Sequence, residues 1–257
     1  MKIFNLHQRE NSVPIVANLP HSGMFVPEDI AVTFIEDHLK SLPNTDWHLD
    51  KLYDFLPSLG ITVLQATHSR YVVDLNRRLQ EPLFGNFWSS VIPSQTAFGK
   101  QIYISNPNFE DISERIPKFY LPYHDRLKTL LEEKVAEFGK VYLLDLHSFF
   151  GPITDQICLG NANGNSCSEK LISTVEQSFT NTGYQVVMNK TFNGGYITRN
   201  YSQMPGVEAL QIEVRYHVYL DENQLDKPQP PNWDVPEFYA AKDKFREIFK
   251  NIANNMI

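Results

Sequence analysis

Short apolar runs of the β type alternate along the chain with stretches whose apolar residues recur every three or four positions. Residues 13–19, 61–66, 71–75, 141–146, 184–188 and 207–215 read as strands. The run 141–146 is nearly all apolar, as suits the middle of a sheet covered on both faces, whereas 207–215 alternates. Helical spacing marks 46–59, where Leu49, Leu52, Tyr53 and Leu56 share a face, and 123–138, where Leu127, Leu130, Leu131, Val135 and Phe138 do. Gly60 and Gly139 stop these two helices. Two more are expected over 168–179 and about 235–252, the last preceded by the rigid spacer Pro228-Gln229-Pro230-Pro231. From 80 to 122 the periodicity lapses, and so long a connection inside a compact domain tends to be functional. Strand and helix alternating at this spacing predict an α/β fold with a doubly covered sheet.

Composition narrows the function classes. A net charge of −7 and a pI near 5.6 argue against nucleic acid or an anionic membrane as a general partner. The first ten residues lack the apolar core of a signal peptide, and no run approaches the ~18 apolar residues of a membrane span. A cytoplasmic protein with Cys158 and Cys167 reduced is the expectation. Neither cysteine has the paired spacing of a zinc ribbon.

Three polar fragments sit at the edges of apolar runs: Pro20-His21-Ser22-Gly23, Asn44-Thr45-Asp46-Trp47-His48 and Asp145-Leu146-His147-Ser148. Two histidines and a carboxylate suit a catalytic zinc, which leaves its fourth position to water. His21 and His147 each follow a predicted strand, where ligands of open α/β sheets collect. Plainer readings stand beside these. His21 fits a tight turn, and Asp145 either orients His147 or merely bonds to it. Asp46 competes with Asp50 one helical turn on, and either could be a first-turn acid. His48 points about 200° away from Asp46 on a helix. Arg70, Asn76 and Arg77 form a clamp suited to a carboxylate, or ordinary ion pairs. Arg70 could also face a developing oxyanion. Glu213 shares a strand face with Gln211 and Arg215, either as the base for an attacking water or as an ion-pair partner. His124, at a helix start, lines a pocket or caps.

Taken in order, Pro20-His21-Ser22-Gly23, residues 45–53, residues 69–77, Pro122-Tyr123-His124 and Asp145-Leu146-His147-Ser148 resemble the N-formylglutamate amidohydrolase family over nearly the whole length. The resemblance implies one domain over 1–257, a three-layer αβα sandwich with a mixed, mostly parallel sheet like that of zinc carboxypeptidases and aspartoacylase-type deacylases. It implies one Zn2+ held by His21, Asp46 and His147, and cleavage of N-formyl-L-glutamate to formate and L-glutamate in histidine degradation. Asn76 and Arg77 would grip the substrate α-carboxylate, Glu213 would be the catalytic glutamate, and Arg70 would hold developing charge. A second carboxylate would need Arg199, in the loop with Gly194 and Gly195, or Arg215. The alternatives are hydrolysis of another N-acyl amino acid or a short peptide, and a non-catalytic dicarboxylate-binding protein. Fold analogy alone does not choose among them.

Overall fold

In the computed structural model, which describes residues 2–80, 82–225 and 227–256, the strand-type runs meet in one sheet. Its members are β1 (Phe4–His7), β2 (Ile15–Leu19), β3 (Thr62–Ala66), β6 (Val141–Phe149), β7 (Ile157–Gly160), β8 (Val186–Met188) and β9 (Val207–Arg215), while β4 (Phe84–Gly85) and β5 (Ile92–Pro93) form a small separate pair. The order is β1-β3-β2-β6-β9-β7-β8. The central strands β3, β2, β6 and β9 run parallel, and β1 and β7 join antiparallel. The sheet is therefore mixed and mostly parallel. All of β6 is buried, so both faces are covered, which is why its sequence is so apolar.

Alternation along β6 sorts its side chains between two layers. Asp145 bonds Asn18 and Thr198, and Asn18 in turn receives the Tyr123 hydroxyl. That face looks toward the helices Leu121–Phe138 and Tyr196–Tyr201. Ser148, of opposite parity, receives Tyr219. The helices Glu169–Thr180 and Pro236–Met256 pack together through Phe179, Phe245 and Phe249. Ser168 caps the first of them by accepting from the Leu171 amide.

Four expectations change. Residues 71–75 are not a strand but turn and coil: Val72 N–H returns to Ser69 O, and Arg70 reaches Asp74. Tyr71, Val72, Val73 and Leu75 are all buried, so their apolarity reflects a loop threaded through the interior. The expected helix 46–59 is two short turns, Leu49–Leu52 and Leu56–Leu59, and begins only after His48, whose φ of 57° is left-handed. Asp46 thus precedes the helix. His147 lies inside β6, which continues to Phe149 rather than ending at 146. The stretch 80–122 holds a helix, Phe109–Arg115, and a π turn, Ile116–Tyr120, leading into Leu121–Phe138. Strands β1 and β7 had no clear signal; each is only four residues long.

Both cysteines are unpaired, and burial pushes both thiols up to about 12, which makes them inert. Among the described residues no helix is long and apolar enough to cross a membrane.

Candidate metal centre and active site

The carboxyl ends of β2, β6 and β9 deliver the site. Two residues past β2 the chain turns at His21, whose carbonyl accepts the Asp46 amide at 3.1 Å. The turn continues through Gly23, where a Cβ would lie 2.5 Å from the His68 carbonyl oxygen. Only glycine permits that approach. It lets the His21 loop pair with the chain beyond β3, through Phe25 N–H to Thr67 O (3.0 Å) and Ser69 N–H to Phe25 O (2.9 Å). On the far side, the Tyr216 hydroxyl donates to Thr45 O and braces the residue before Asp46.

These contacts bring together His21, Asp46 and His147, all buried, with one ligand atom from each within 4.8 Å of the others. His147 Nδ1 is 3.0 Å and His21 Nδ1 3.8 Å from Asp46 Oδ2. Asp50 lies outside this group. The opposite ring nitrogens meet carboxylates: His21 Nε2 is 2.7 Å from Asp74 Oδ1, and His147 Nε2 is 3.2 Å from Asp145 Oδ2. Such outer partners fix the tautomer and turn the free nitrogen to the metal. Two imidazoles and a carboxylate converging with their backs held this way fit a divalent cation.

Charge in the cluster is balanced by hand-to-hand contacts. Burial pushes the His21 pKa down to about 4, with nearby Arg70 adding to the effect. Burial also opposes charge on His147, but Asp145 and Asp46 outweigh it and raise its pKa well above the usual value. Asp74, fully buried, sits between Arg70 and His21. It receives Arg70 Nη2 at 2.6 Å and Nε at 3.2 Å, the Asn76 amide at 2.9 Å, and lies 3.8 Å from Arg77 Nη2. Burial would raise its pKa, yet Arg70, Arg77 and His21 hold it well below the usual range. In sequence Asp74 stands inside an apolar run, and its separation of 53 residues from His21 gives no pairing signal.

The cluster opens into a cavity of about 600 Å3 lined also by Arg70, Arg77, Asn76, Gln211 and Glu213. Glu213 is the register neighbour of His147 on the adjoining strand. Burial raises its pKa to about 7, with His147 pulling the other way and Asp46 pushing it up. Arg70 is buried over the Phe87 ring, 4.6 Å from its centre, and Arg77 donates to Phe87 O. Asn76 Oδ1 accepts the Ile197 N–H (2.8 Å), and its amide nitrogen lies 3.1 Å from His147 Nε2. Phe87, Trp88, Phe98, Phe149 and Phe150 also line the cavity.

Arg199 and Arg215, expected to meet the substrate, fall outside the cavity lining, as do His48 and His124. Arg199 lies not in the loop but in the helix Tyr196–Tyr201, and it folds back on the preceding loop, donating to Gly194 O at 2.8 Å and Asn193 Oδ1 at 2.8 Å. Arg215 reaches toward Thr154 O. His48 pairs with Pro231 O, and His124 is held between Tyr201 and Leu75 O. Alternation makes Gln211 no more than a face-mate of Glu213, but its side chain bonds both Glu213 and the Gly195 amide.

Residues 13–220 match the family model described as N-formylglutamate amidohydrolase. The chain is 34% identical to the N-formylglutamate deformylase of Pseudomonas aeruginosa, covering 95% of this chain and 94% of that one. It is 31% identical to the N-formylglutamate deformylase of Pseudomonas putida, covering 87% of each. The crystal structure of N-formylglutamate amidohydrolase from Ralstonia eutropha JMP134 superposes with a TM-score of 0.84 at 25% identity, covering 100% of this chain and 99% of that one.

Proposed function

We propose that this chain, which belongs to the N-formylglutamate amidohydrolase family, hydrolyses N-formyl-L-glutamate to formate and L-glutamate as a zinc-dependent amidohydrolase. The observation that carries the reading is the adjacency of Glu213, with its raised pKa, to the His21–Asp46–His147 cluster in one cavity. Zinc held by these three side chains would act as a Lewis acid on the formyl oxygen and lower the pKa of water toward about 7.

The protein's own residues do the rest. Glu213, buried beside His147 on the adjoining strand, takes a proton from the attacking water. Oxygen adds to the formyl carbon, and Arg70 stabilises the negative charge that grows on the carbonyl oxygen. The C–N bond then breaks, and Glu213 passes its proton to the departing amine. Arg77 receives the α-carboxylate, while Asn76 shapes that corner through His147 and Ile197. Two guanidiniums share one counter-ion, Asp74, so the pair keeps a net positive charge for an anionic substrate.

A panel of N-formyl, N-acetyl and N-succinyl amino acids tests the substrate. The reading expects N-formyl-L-glutamate to have the highest kcat/KM; equal rates across the panel would rule that assignment out.

A further inference from the structure

Two side-chain carboxamides face the segment 193–197, a loop entering the helix Tyr196–Tyr201, in the same way. Asn76 Oδ1 accepts Ile197 N–H, and its nitrogen lies 3.1 Å from the metal-cluster residue His147. Gln211 Oε1 accepts Gly195 N–H, and its nitrogen donates to Glu213 Oε1 at 2.7 Å. Each amide joins the same loop to a different half of the reaction centre. Gln211 is 4% exposed and pairs in register with Asp145, as Glu213 does with His147. At Gly195 the backbone is pressed so close to Asn76 that a Cβ would stand 2.4 Å from its amide nitrogen.

The consequence for Glu213 is directional. A carboxylate on a β-strand can rotate about its terminal bond, and this torsion is broad rather than confined to sharp wells. Gln211 occupies Oε1, while Oε2 has no protein partner among the described hydrogen bonds. The Gln211 amide cannot itself flip without placing its NH2 against the Gly195 N–H, two donors face to face. The loop therefore fixes the amide, and the amide fixes which carboxylate oxygen is spent.

We propose that Gln211 is a positioning residue for the reaction: anchored by Gly195, it holds Glu213 Oε1 so that Oε2 alone is presented for proton transfer. This rests on the reading of Glu213 as the base. Gln211 touches neither the metal ligands through a bond nor the reacting atoms; it acts through Glu213. Losing it should lower kcat while leaving KM and metal retention in place, because binding of the anionic substrate falls to Arg77 and Arg70.

The test is a double-mutant cycle in the zinc-loaded enzyme with Gln211→Met, Glu213→Gln and both together. Gln211→Leu serves as a second, differently shaped replacement, and zinc stoichiometry and circular dichroism accompany every variant. Gln211→Met and Gln211→Leu are expected to lose kcat by about 10- to 100-fold, within the range that general-base catalysis supplies. KM should stay within about threefold, with one zinc per chain. In the Glu213→Gln background the same replacement should cost less than about twofold, since there is no base left to position. An equal loss in both backgrounds, a change confined to KM, unchanged kcat, or loss of zinc or fold in both replacements would overturn the proposal and leave Glu213 as base untouched. Full turnover in Glu213→Gln alone would overturn the base assignment itself, and the positioning role with it.

Discussion

Replacing Asp74 is expected to damage folding and metal binding together. The carboxylate has no exposure and meets His21 Nε2, two nitrogens of Arg70 and the Asn76 amide. In Asp74→Ala, Arg70 keeps only the Asn44 carbonyl at 3.2 Å and the Phe87 ring. Removing one partner of a buried pair leaves an uncompensated charge and costs about 3–5 kcal/mol. That is a large part of a typical total stability of about 5–15 kcal/mol. For a chain of this size it corresponds to a Tm lower by roughly 6–20 °C. Loss of the His21 partner should weaken zinc by about 10- to 100-fold. Asp74→Asn, nearly the same shape, should fare little better, because it is uncharged and in either orientation its NH2 would face a donor, Arg70 or the Asn76 amide. Asp54→Ala is the control: its pair with Lys242 is on the surface, Asp54 being 56% exposed, and such pairs contribute about 0–1 kcal/mol. Calorimetry with zinc titration reads both effects. A Tm for Asp74→Ala within about 2 °C of the parent, with unchanged zinc affinity, would refute the argument that Asp74 joins the arginines to the metal centre.

Zinc binding should release a proton. Asp145 and Asp46 outweigh burial and keep His147 protonated in the metal-free chain, so affinity should rise with pH by about tenfold per unit near neutrality; calorimetry in buffers of differing ionisation enthalpy measures this, and no released proton would contradict it. The metal-free protein should lose stability as pH falls from about 6.5 toward about 4. Over that window His21, His38 and His124, each lowered to about 4 chiefly by burial, stay neutral when folded and charge when unfolded. His147 has the opposite sign, its contribution being complete below about 6.5 and lost as pH rises through its raised folded pKa. Chemical denaturation against pH should thus show a maximum near the unfolded histidine value, and a monotonic rise toward pH 4 would exclude this account. Gly195→Ala should force apart the contact with Asn76 and lower kcat/KM by about 100-fold, the scale of a 1 Å misplacement; kinetics at unchanged zinc content check it, and parent-like values would count against the loop's role.

The metal cluster was legible because its residues stand at the ends of apolar runs, where α/β sheets put their ligands. The choice of Asp46 over Asp50 was not legible. It turns on His48 adopting a left-handed backbone, which delays the helix until Leu49. Arg70, Asn76 and Arg77 did come to the cavity, yet the strand inferred around them does not exist. A buried loop and a buried strand share the same apolar composition, and five residues offer too few periods to tell them apart. Alternation put Arg215 on the face of Glu213, but it is the last residue of β9 and its guanidinium turns to Thr154. Arg199, in the helix Tyr196–Tyr201, is absorbed by the loop that precedes it. Asp74 and Gln211 bond to side chains and amides whose approach depends on the fold and on rotamers, and neither leaves a spacing pattern.

The central claim is metal-dependent removal of a formyl group, and its most direct measurement is formate release from N-formyl-L-glutamate by purified protein, before chelation, after it, and after zinc is restored. The account predicts release that ceases when the metal is stripped and returns with zinc. No formate from protein carrying one zinc per chain, or release that persists in metal-free protein, would contradict it.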